Sequence, residues 1–231
     1  MVSHTSQAGQ AQSAANGSCP AWRFVGGNLC LDFVNTTSRR VPAPQNPLLT
    51  RADEECLLDY GRLVDWALAA ACLDPQTAKD LTQTALREPA PAHRIWRRAI
   101  ALREALYEIA VSLVESTVAD EHTLAVLNRE VGMAREHLAI SARQGVLIES
   151  FQDQRGELSR PLWPIALSAA QFFVREVTGR LKRCPGSGCD WLFIDATKNG
   201  SRTWCSMADC GNRSKITRYR TRKRKAASRA T

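Results

Sequence analysis

The sequence has no long hydrophobic run. The most apolar stretch of its 231 residues, 57–73, is interrupted by Asp59, Arg62 and Asp65, whereas a membrane-spanning helix needs about 18 consecutive apolar residues. Residues 1–19 lack the basic start and apolar centre of a signal peptide, and their content of Ser, Ala, Gln and Gly is typical of a disordered leader. We therefore expect a cytoplasmic protein that has no membrane partner.

Signatures of catalysis are also missing. The sequence contains no glycine-rich phosphate-binding loop and no HExxH motif, and its four histidines all precede residue 138. Many enzymes bind phosphate or a catalytic metal through such patterns. Their absence predicts that the protein is not an enzyme.

Acidic residues are scarce at the C-terminal end. From Gly179 onward there are 14 Lys and Arg residues but only 3 Asp and Glu residues, which leaves 17 basic and 20 acidic residues for the rest of the chain. A slightly acidic body is thus followed by a strongly basic end. This asymmetry predicts that the basic end contacts a polyanion.

The apolar residues of the body recur with helical spacing, and the predicted fold class is mainly α, with a helical domain over 20–180. Helices are predicted over 52–73, from the N-cap Asp74 to Leu86, over 95–118 after a break at 87–94, from Asp120 onward, and over 164–181. The segment 24–36 suits either a short helix capped by Asn28 or a strand, and we favour the helix. A small hairpin is predicted within 144–159.

Four of the eight cysteines fall within 27 residues near the C-terminus. They form two close pairs, Cys184 with Cys189 and Cys205 with Cys210, separated by 15 residues. A structural zinc site with four thiolates requires such pairs. Between them, 191–195 is strand-like and Asn199-Gly200 is a hairpin-turn signal. We predict a small finger made of a knuckle, a β-hairpin and a helix, in which one zinc ion supplies much of the folding free energy.

Other roles fit these cysteines less well. A thioredoxin-like redox pair needs Cys-x-x-Cys near a βαβ unit, and neither is present. A catalytic zinc keeps one coordination position open for water, which four thiolates do not, so the zinc is predicted to be structural. The remaining cysteines are interpreted as small buried hydrophobes or free thiols: Cys19, Cys30, Cys56 and Cys72.

Nine basic residues and no acidic residue follow Cys210. In a helix that begins near Ala208, Ile216 and Tyr219 would pack back against the hairpin and leave the basic side chains free to meet phosphate. The early position of Arg213 suits either a base edge or a phosphate. The predicted nucleic-acid contacts are Arg213, Lys215, Arg218, Arg220, Arg222, Lys223 and Arg224, and 226–231 are expected to be a flexible tail.

Two polar groups in the body have two possible interpretations each, and for the second, a set of four arginines, we favour a solvated face over an anion site. Asp32, Asn35 and Thr36 would share one side of a helix, which suits either a small-molecule pocket or capping and hydrogen bonding inside the body. The second group is interpreted as a solvated face: Arg94, Arg97, Arg98 and Arg103.

Residues 183–224 closely resemble the CGNR zinc-finger family, which is named for the tetrad that stands here at 210–213. The resemblance includes both cysteine pairs, the motifs WLFID and RTWCSM, and the basic continuation. The body resembles the ABATE domain that usually precedes this finger, through GGNLCLDFVNT at 26–36 and LVDWAL at 63–68.

The resemblance implies a bacterial, stress-induced transcriptional regulator. Its finger, 181–225, would bind double-stranded DNA, and its helical domain would act as a sensor or regulatory module. The alternatives are a small-molecule-binding protein or enzyme that uses the helical domain, and an RNA or protein adaptor. Tyr219 is the only aromatic residue after Trp204, so an aromatic platform for single strands is missing. A small-molecule effector and a homodimer remain open as further partners.

Overall fold

The computed structural model describes residues 21–37, 55–152, 156–175 and 179–227. The predicted leader and the proline-rich segment 38–50 lie outside these ranges. The described helices are α1 (Leu29–Val34), α2 (Tyr60–Ala69), α3 (Pro75–Arg87), α4 (Pro89–Glu115), α5 (Glu121–Glu136), α6 (Leu162–Val174) and α7 (Asn212–Ala227). The described strands are β1 (Leu138–Arg143), β2 (Val146–Phe151), β3 (Leu181–Arg183) and β4 (Leu192–Ile194). The predicted mainly α fold, with a small strand-containing finger at its end, is confirmed.

Side-chain caps confirm three of the predicted helix starts. The Asn28 side chain accepts a hydrogen bond from the Cys30 backbone N–H at the start of α1. Asp74 and Asp120 accept from backbone N–H groups in the first turns of α3 and α5. The first N–H groups of a helix have no partner within it, so a short polar side chain at this position stabilises the helix start.

Three predicted helix boundaries are wrong. Helix α2 begins at Tyr60 and not at residue 52, because the Asp59 carboxylate accepts from the Arg62 N–H and caps the helix there. The expected break at 87–94 is reduced to Glu88, because α3 ends at Arg87 and α4 begins at Pro89, where proline is tolerated since the first N–H groups of a helix make no internal bond. Helix α6 ends at Val174 and does not continue to residue 181.

The core of the body surrounds α4, which packs against α1, α2, α3, α5 and α6. Trp66, Trp163 and Phe33 are among the largest fully buried side chains in this core. Burial of apolar surface of this size is the main stabilising contribution to such a body.

The solvated-face interpretation of four arginines is wrong for two of them. The side chain of Arg103 is only 3% exposed and pairs with Glu55, and Arg98 pairs with the buried carboxylate of Glu130. Only Arg94 and Arg97 are exposed. A buried cation requires a carboxylate partner, and Glu55, which bonds Arg103, lies 48 positions away in the sequence.

The hairpin predicted within 144–159 lies slightly earlier in the chain. Strands β1 and β2 pair antiparallel, with Arg143 opposite Val146, so Gln144 and Gly145 form the turn. Both turn residues have positive φ, as a tight two-residue turn requires.

Cysteines outside the finger differ in state. Cys30 and Cys72 are free thiols, and burial raises the pKa of Cys72 to about 11. Cys56, by contrast, is disulfide-bonded, so its interpretation as a buried hydrophobe or free thiol is wrong. The distance between two thiols depends on the fold and not on their sequence spacing.

In the described ranges, no helix has an apolar segment long enough to cross a bilayer.

Candidate zinc centre and nucleic-acid surface

Four thiols converge at the start of the C-terminal helix. The Sγ atoms of Cys184, Cys189, Cys205 and Cys210 all lie within 4.8 Å of one another, and all four residues are buried. The Cys189 and Cys205 sulfurs are 3.5 Å apart, and the Cys205 and Cys210 sulfurs are 3.7 Å apart. These distances are too long for a disulfide, whose sulfurs lie about 2.05 Å apart.

The thiol cluster fits one tetrahedral zinc ion. A Zn–S distance of about 2.3 Å places the four sulfurs of a tetrahedron about 3.8 Å apart, close to the observed separations. The Cys205 backbone N–H points at the Cys184 sulfur at 3.5 Å, and such outer contacts orient metal ligands. Zinc held here by four buried thiolates is structural, because no coordination position remains for water or substrate.

The first cysteine pair sits on a loop that joins two paired strands. Strand β3 precedes Cys184, strand β4 follows Cys189, and the two pair antiparallel with Arg183 opposite Leu192. A Cβ atom added at Gly186 would lie 2.9 Å from the Cys210 sulfur, so only glycine lets the loop approach this closely.

The hairpin expected on either side of Asn199-Gly200 is therefore wrong. Strand β4 pairs with β3, and no strand occurs between 195 and 206 in the described finger. A loop takes its place, built around the buried carboxylate of Asp195. That carboxylate accepts hydrogen bonds from the Lys182 ammonium at 2.6 Å, the Arg202 N–H at 2.8 Å and the Thr197 N–H at 2.9 Å. Burial opposes the charged form, but these bonds outweigh it and hold the pKa of Asp195 well below its ordinary value.

The Arg202 guanidinium holds the same loop against the rest of the finger. It donates to the backbone carbonyls of Trp204 at 3.0 Å, Ile194 at 3.3 Å, Val25 at 3.1 Å and Cys205, and lies 4.4 Å above the Phe193 ring. The planar, five-donor shape of the guanidinium makes this set of contacts possible. Neither Asp195 nor Arg202 was predicted as a functional residue, because neither belongs to a metal-ligand pattern.

We expect Arg202→Lys to destabilise the finger by about 2 kcal/mol, because one ammonium group cannot replace a planar guanidinium whose N–H groups bond several carbonyls at once. Urea unfolding followed by zinc release would measure the change. Lys198→Ala is the matched control, because Lys198 is exposed in the same loop. If both variants unfold like the unmodified protein, Arg202 does not hold the loop.

Helix α7 continues directly from the second cysteine pair. A short π-helical turn, Met207–Gly211, contains Cys210 and leads into α7. From Asn212 to Lys223 every side chain is exposed except the half-buried Ser214. The basic residues that the sequence predicts as nucleic-acid contacts lie on this exposed stretch, with one exception: the side chain of Arg224 is outside the described part of the structure.

The predicted packing of α7 against the hairpin is wrong. Ile216 is 52% exposed and Tyr219 is 68% exposed, so neither is anchored on Trp191 or Phe193. Helix α7 packs mainly on the π-helical turn that precedes it, so its side chains meet solvent on nearly all sides. The helix also runs through Ala226 and Ala227, where a flexible tail was predicted.

The comparison with known families agrees with these observations. Residues 27–176, well over half of the chain, match the ABATE model, described as "Putative stress-induced transcription regulator". The chain belongs to the ABATE family. Residues 180–223 match the CGNR zinc finger, in the order that the sequence motifs predicted. No curated protein shows a significant match to the chain.

The finger is joined to the N-terminal part of the chain by direct hydrogen bonds. The Ile194 N–H donates to the Gly26 carbonyl at 2.8 Å, and the Trp191 indole N–H donates to the Thr37 carbonyl at 3.0 Å. Arg23 bonds Asp209 in the second cysteine loop and lies 5.8 Å above the Trp191 ring. The hydrogen bond from Arg23, followed by one from the Ser206 hydroxyl, lowers the pKa of Asp209 to about 2, so the pair is ionised.

The three candidate ligand residues of the ABATE domain are all buried and hydrogen-bonded internally. Asp32 accepts from the Gly26 N–H at 2.7 Å, and burial raises its pKa. Thr36 donates to the Phe33 carbonyl at 2.8 Å. The Asn35 amide bonds both backbone groups of Leu192, at 2.8 and 2.9 Å. The structure thus brings Asn35 to the finger, and a ligand-binding role for the three residues stays a prediction.

Proposed function

We propose that this protein is a DNA-binding transcriptional regulator in which α7 contacts double-stranded DNA and the ABATE domain serves as the sensor or regulatory module. The observation that carries the proposal is the exposed surface of α7, which carries six basic residues and no acidic residue between Asn212 and Lys223 and continues directly from the zinc centre. The family description of ABATE as a transcription regulator supports it.

The charge of α7 has no counterpart on the helix itself. Between Asn212 and Lys223 there are six basic residues and no acidic residue, and within the described part of the chain none of them forms an ion pair. Some of the cations are spaced so that they repel each other along the helix, such as Arg218 and Arg222 at i and i+4. A polyanion relieves this repulsion, since each neutralised phosphate also releases counterions.

The shape of α7 favours a duplex over a single strand. An exposed α-helix fits the major groove of B-DNA, which is about 12 Å wide. Single strands are bound mainly by stacking on aromatic side chains, and Tyr219 is the only aromatic residue that α7 offers. Cations lie on several sides of the helix, so some can meet phosphates on both flanks of a groove while others face base edges.

The proposal is tested by titrating duplex DNA into the zinc-loaded protein over a range of salt concentrations. Neutralisation of 5–8 phosphates predicts that log K falls with log[salt] with a slope of about −4.5 to −7. A single-stranded oligonucleotide of the same length is expected to bind more weakly. No binding at low salt would overturn the proposal, and a preference for the single strand would favour the RNA adaptor alternative.

Removing two α7 cations is expected to weaken binding and to flatten the salt dependence. In Arg218→Ala/Arg222→Ala the slope should decrease in magnitude by about 2, because each lost phosphate contact removes about 0.9. The matched control is Arg94→Ala/Arg97→Ala, which removes the same charge from exposed positions on α4. Equal effects of the two double variants would mean that net charge, and not α7, attracts the DNA.

A further inference from the structure

Strand β4 separates the zinc centre from the core of the ABATE domain and contributes to both. Leu192 is fully buried in the hydrophobic core of the body, and Ile194 packs against the same core. Phe193, between them, is fully buried among the four cysteines. Successive side chains of a strand point to opposite sides, so one three-residue strand serves two cores.

The polar contacts at this strand also join the two parts. Asn35 at the end of α1 is 3% exposed, and its amide both donates to and accepts from the backbone of Leu192. Those backbone groups are in place only when β4 is folded. Without β4, the body would keep a buried amide with both of these bonds lost, and a buried polar group without a partner is costly.

The zinc ion, in turn, holds β4. The loop between β3 and β4 contains Cys184 and Cys189, so a zinc ion bound there fixes β4 from the side opposite the body. Release of zinc removes this support, which loosens the packing of Leu192 and Ile194 on the core of the body and the bonds between β4 and Asn35.

We propose that zinc binding and the stability of the helical ABATE domain are thermodynamically coupled through β4, with Asn35 as the positioning residue that transmits the coupling. Coupling between two sites is reciprocal. A change in the body that loosens its hold on β4 therefore weakens zinc binding, and loss of zinc loosens the body. This makes zinc occupancy a regulator of the whole chain, whether or not α7 binds DNA.

The test compares the full-length chain with and without zinc, both kept anaerobic so that the four clustered thiols are not oxidised. Thermal melting is followed by circular dichroism at 222 nm, which reports mainly on the helices of the body. We expect removal of zinc to lower the melting temperature of these helices by at least about 5 °C. Identical melting of the two forms would overturn the coupling.

Asn35→Ala tests the proposed route. We expect it to weaken zinc binding by about tenfold or more, measured by competition with a chromophoric chelator, because two buried hydrogen bonds to β4 are lost. The difference in melting temperature between the zinc-loaded and zinc-free forms should shrink as well. Unchanged zinc affinity in a folded Asn35→Ala protein would contradict the role of Asn35.

Asn28→Ala is the matched control. Asn28 caps α1 and accepts from the Ser168 hydroxyl at 2.8 Å, both inside the body. The Asn28→Ala substitution should lower the melting temperature equally with and without zinc and leave the zinc affinity unchanged. A loss of zinc affinity equal to that of Asn35→Ala would mean that any destabilisation of the body weakens zinc binding, and would overturn the specific role of Asn35. If Asn35→Ala does not fold, Trp191→Phe tests the coupling between the body and the zinc centre. It removes the bond to Thr37 and keeps an aromatic ring near Arg23, and it should weaken zinc binding about threefold; unchanged zinc affinity would contradict the coupling. No DNA is present in these measurements, so they are independent of the proposed function.

Discussion

Cys210→Ser is expected to abolish tight zinc binding and to unfold the finger. Structural zinc in small fingers contributes an apparent free energy of about 10–16 kcal/mol, and a hydroxyl is a much poorer zinc ligand than a thiolate. Cys210 also lies in the π-helical turn that leads into α7, so the start of that helix loses its support. Metal content after gel filtration, and the tetrahedral thiolate spectrum of the cobalt-substituted protein, measure the loss.

Cys72→Ser is the control for this substitution. Cys72 is a half-buried free thiol in the body, away from the four clustered cysteines. Its replacement should leave the zinc content at one ion per chain. A Cys210→Ser protein that still holds zinc tightly would contradict the four-thiolate site. Loss of zinc with unchanged DNA affinity would contradict the idea that the metal organises the DNA-contacting helix.

Arg103→Met is expected to lower the free energy of unfolding by about 3 kcal/mol or more. Both terminal nitrogens of Arg103 bond the Glu55 carboxylate at 2.6 Å, and one of them lies 2.9 Å from Glu104. Burial alone would lower the pKa of the guanidinium, but the bonds and charges of Glu55 and Glu104 outweigh it and raise the pKa. Removing one partner of a buried ion pair typically costs about 3–5 kcal/mol, because the other charge stays without compensation.

Arg97→Met on the same helix separates this effect from a general loss of charge. Arg97 is exposed, and surface substitutions usually change stability by less than about 0.5 kcal/mol. Chemical denaturation of both variants with the zinc retained provides the comparison. If both variants lose only a similar, small part of the free energy of unfolding, the carboxylates of Glu55 and Glu104 are rehydrated when Arg103 is absent, and the ion pair contributes little to stability.

Local chemistry explains why some features were predictable. Asp74 and Asp120 cap helices whose first N–H groups lie within three residues, so the interaction is contained in a short stretch of sequence. The cysteine spacing predicts the zinc ligands for the same reason, since each knuckle is a local turn that supplies two thiols. The hairpin within the finger was misplaced because Asn199-Gly200 signals a turn but does not determine which strands pair.

The features that the sequence did not predict depend on contacts between residues that are far apart in the sequence. The amide of Asn35 meets Leu192 across 157 positions of sequence, and Arg103 meets Glu55 across 48. Neither pair has a periodicity or motif that marks it. Ile216 and Tyr219 were expected to pack back on the finger, but both are exposed, because α7 packs mainly on the π-helical turn from which it continues.

The sequence by itself determined the helical class, the four zinc ligands and the basic character of the last helix, because caps, close cysteine pairs and charge are properties of neighbouring residues. Only the tertiary structure decided that β4 belongs to two cores, that Asn35 serves the finger and that Arg103 is buried. The physical reason is that a buried polar or charged side chain must find its partner wherever the fold brings one. The spacing of two residues in the sequence does not show whether the fold brings them into contact.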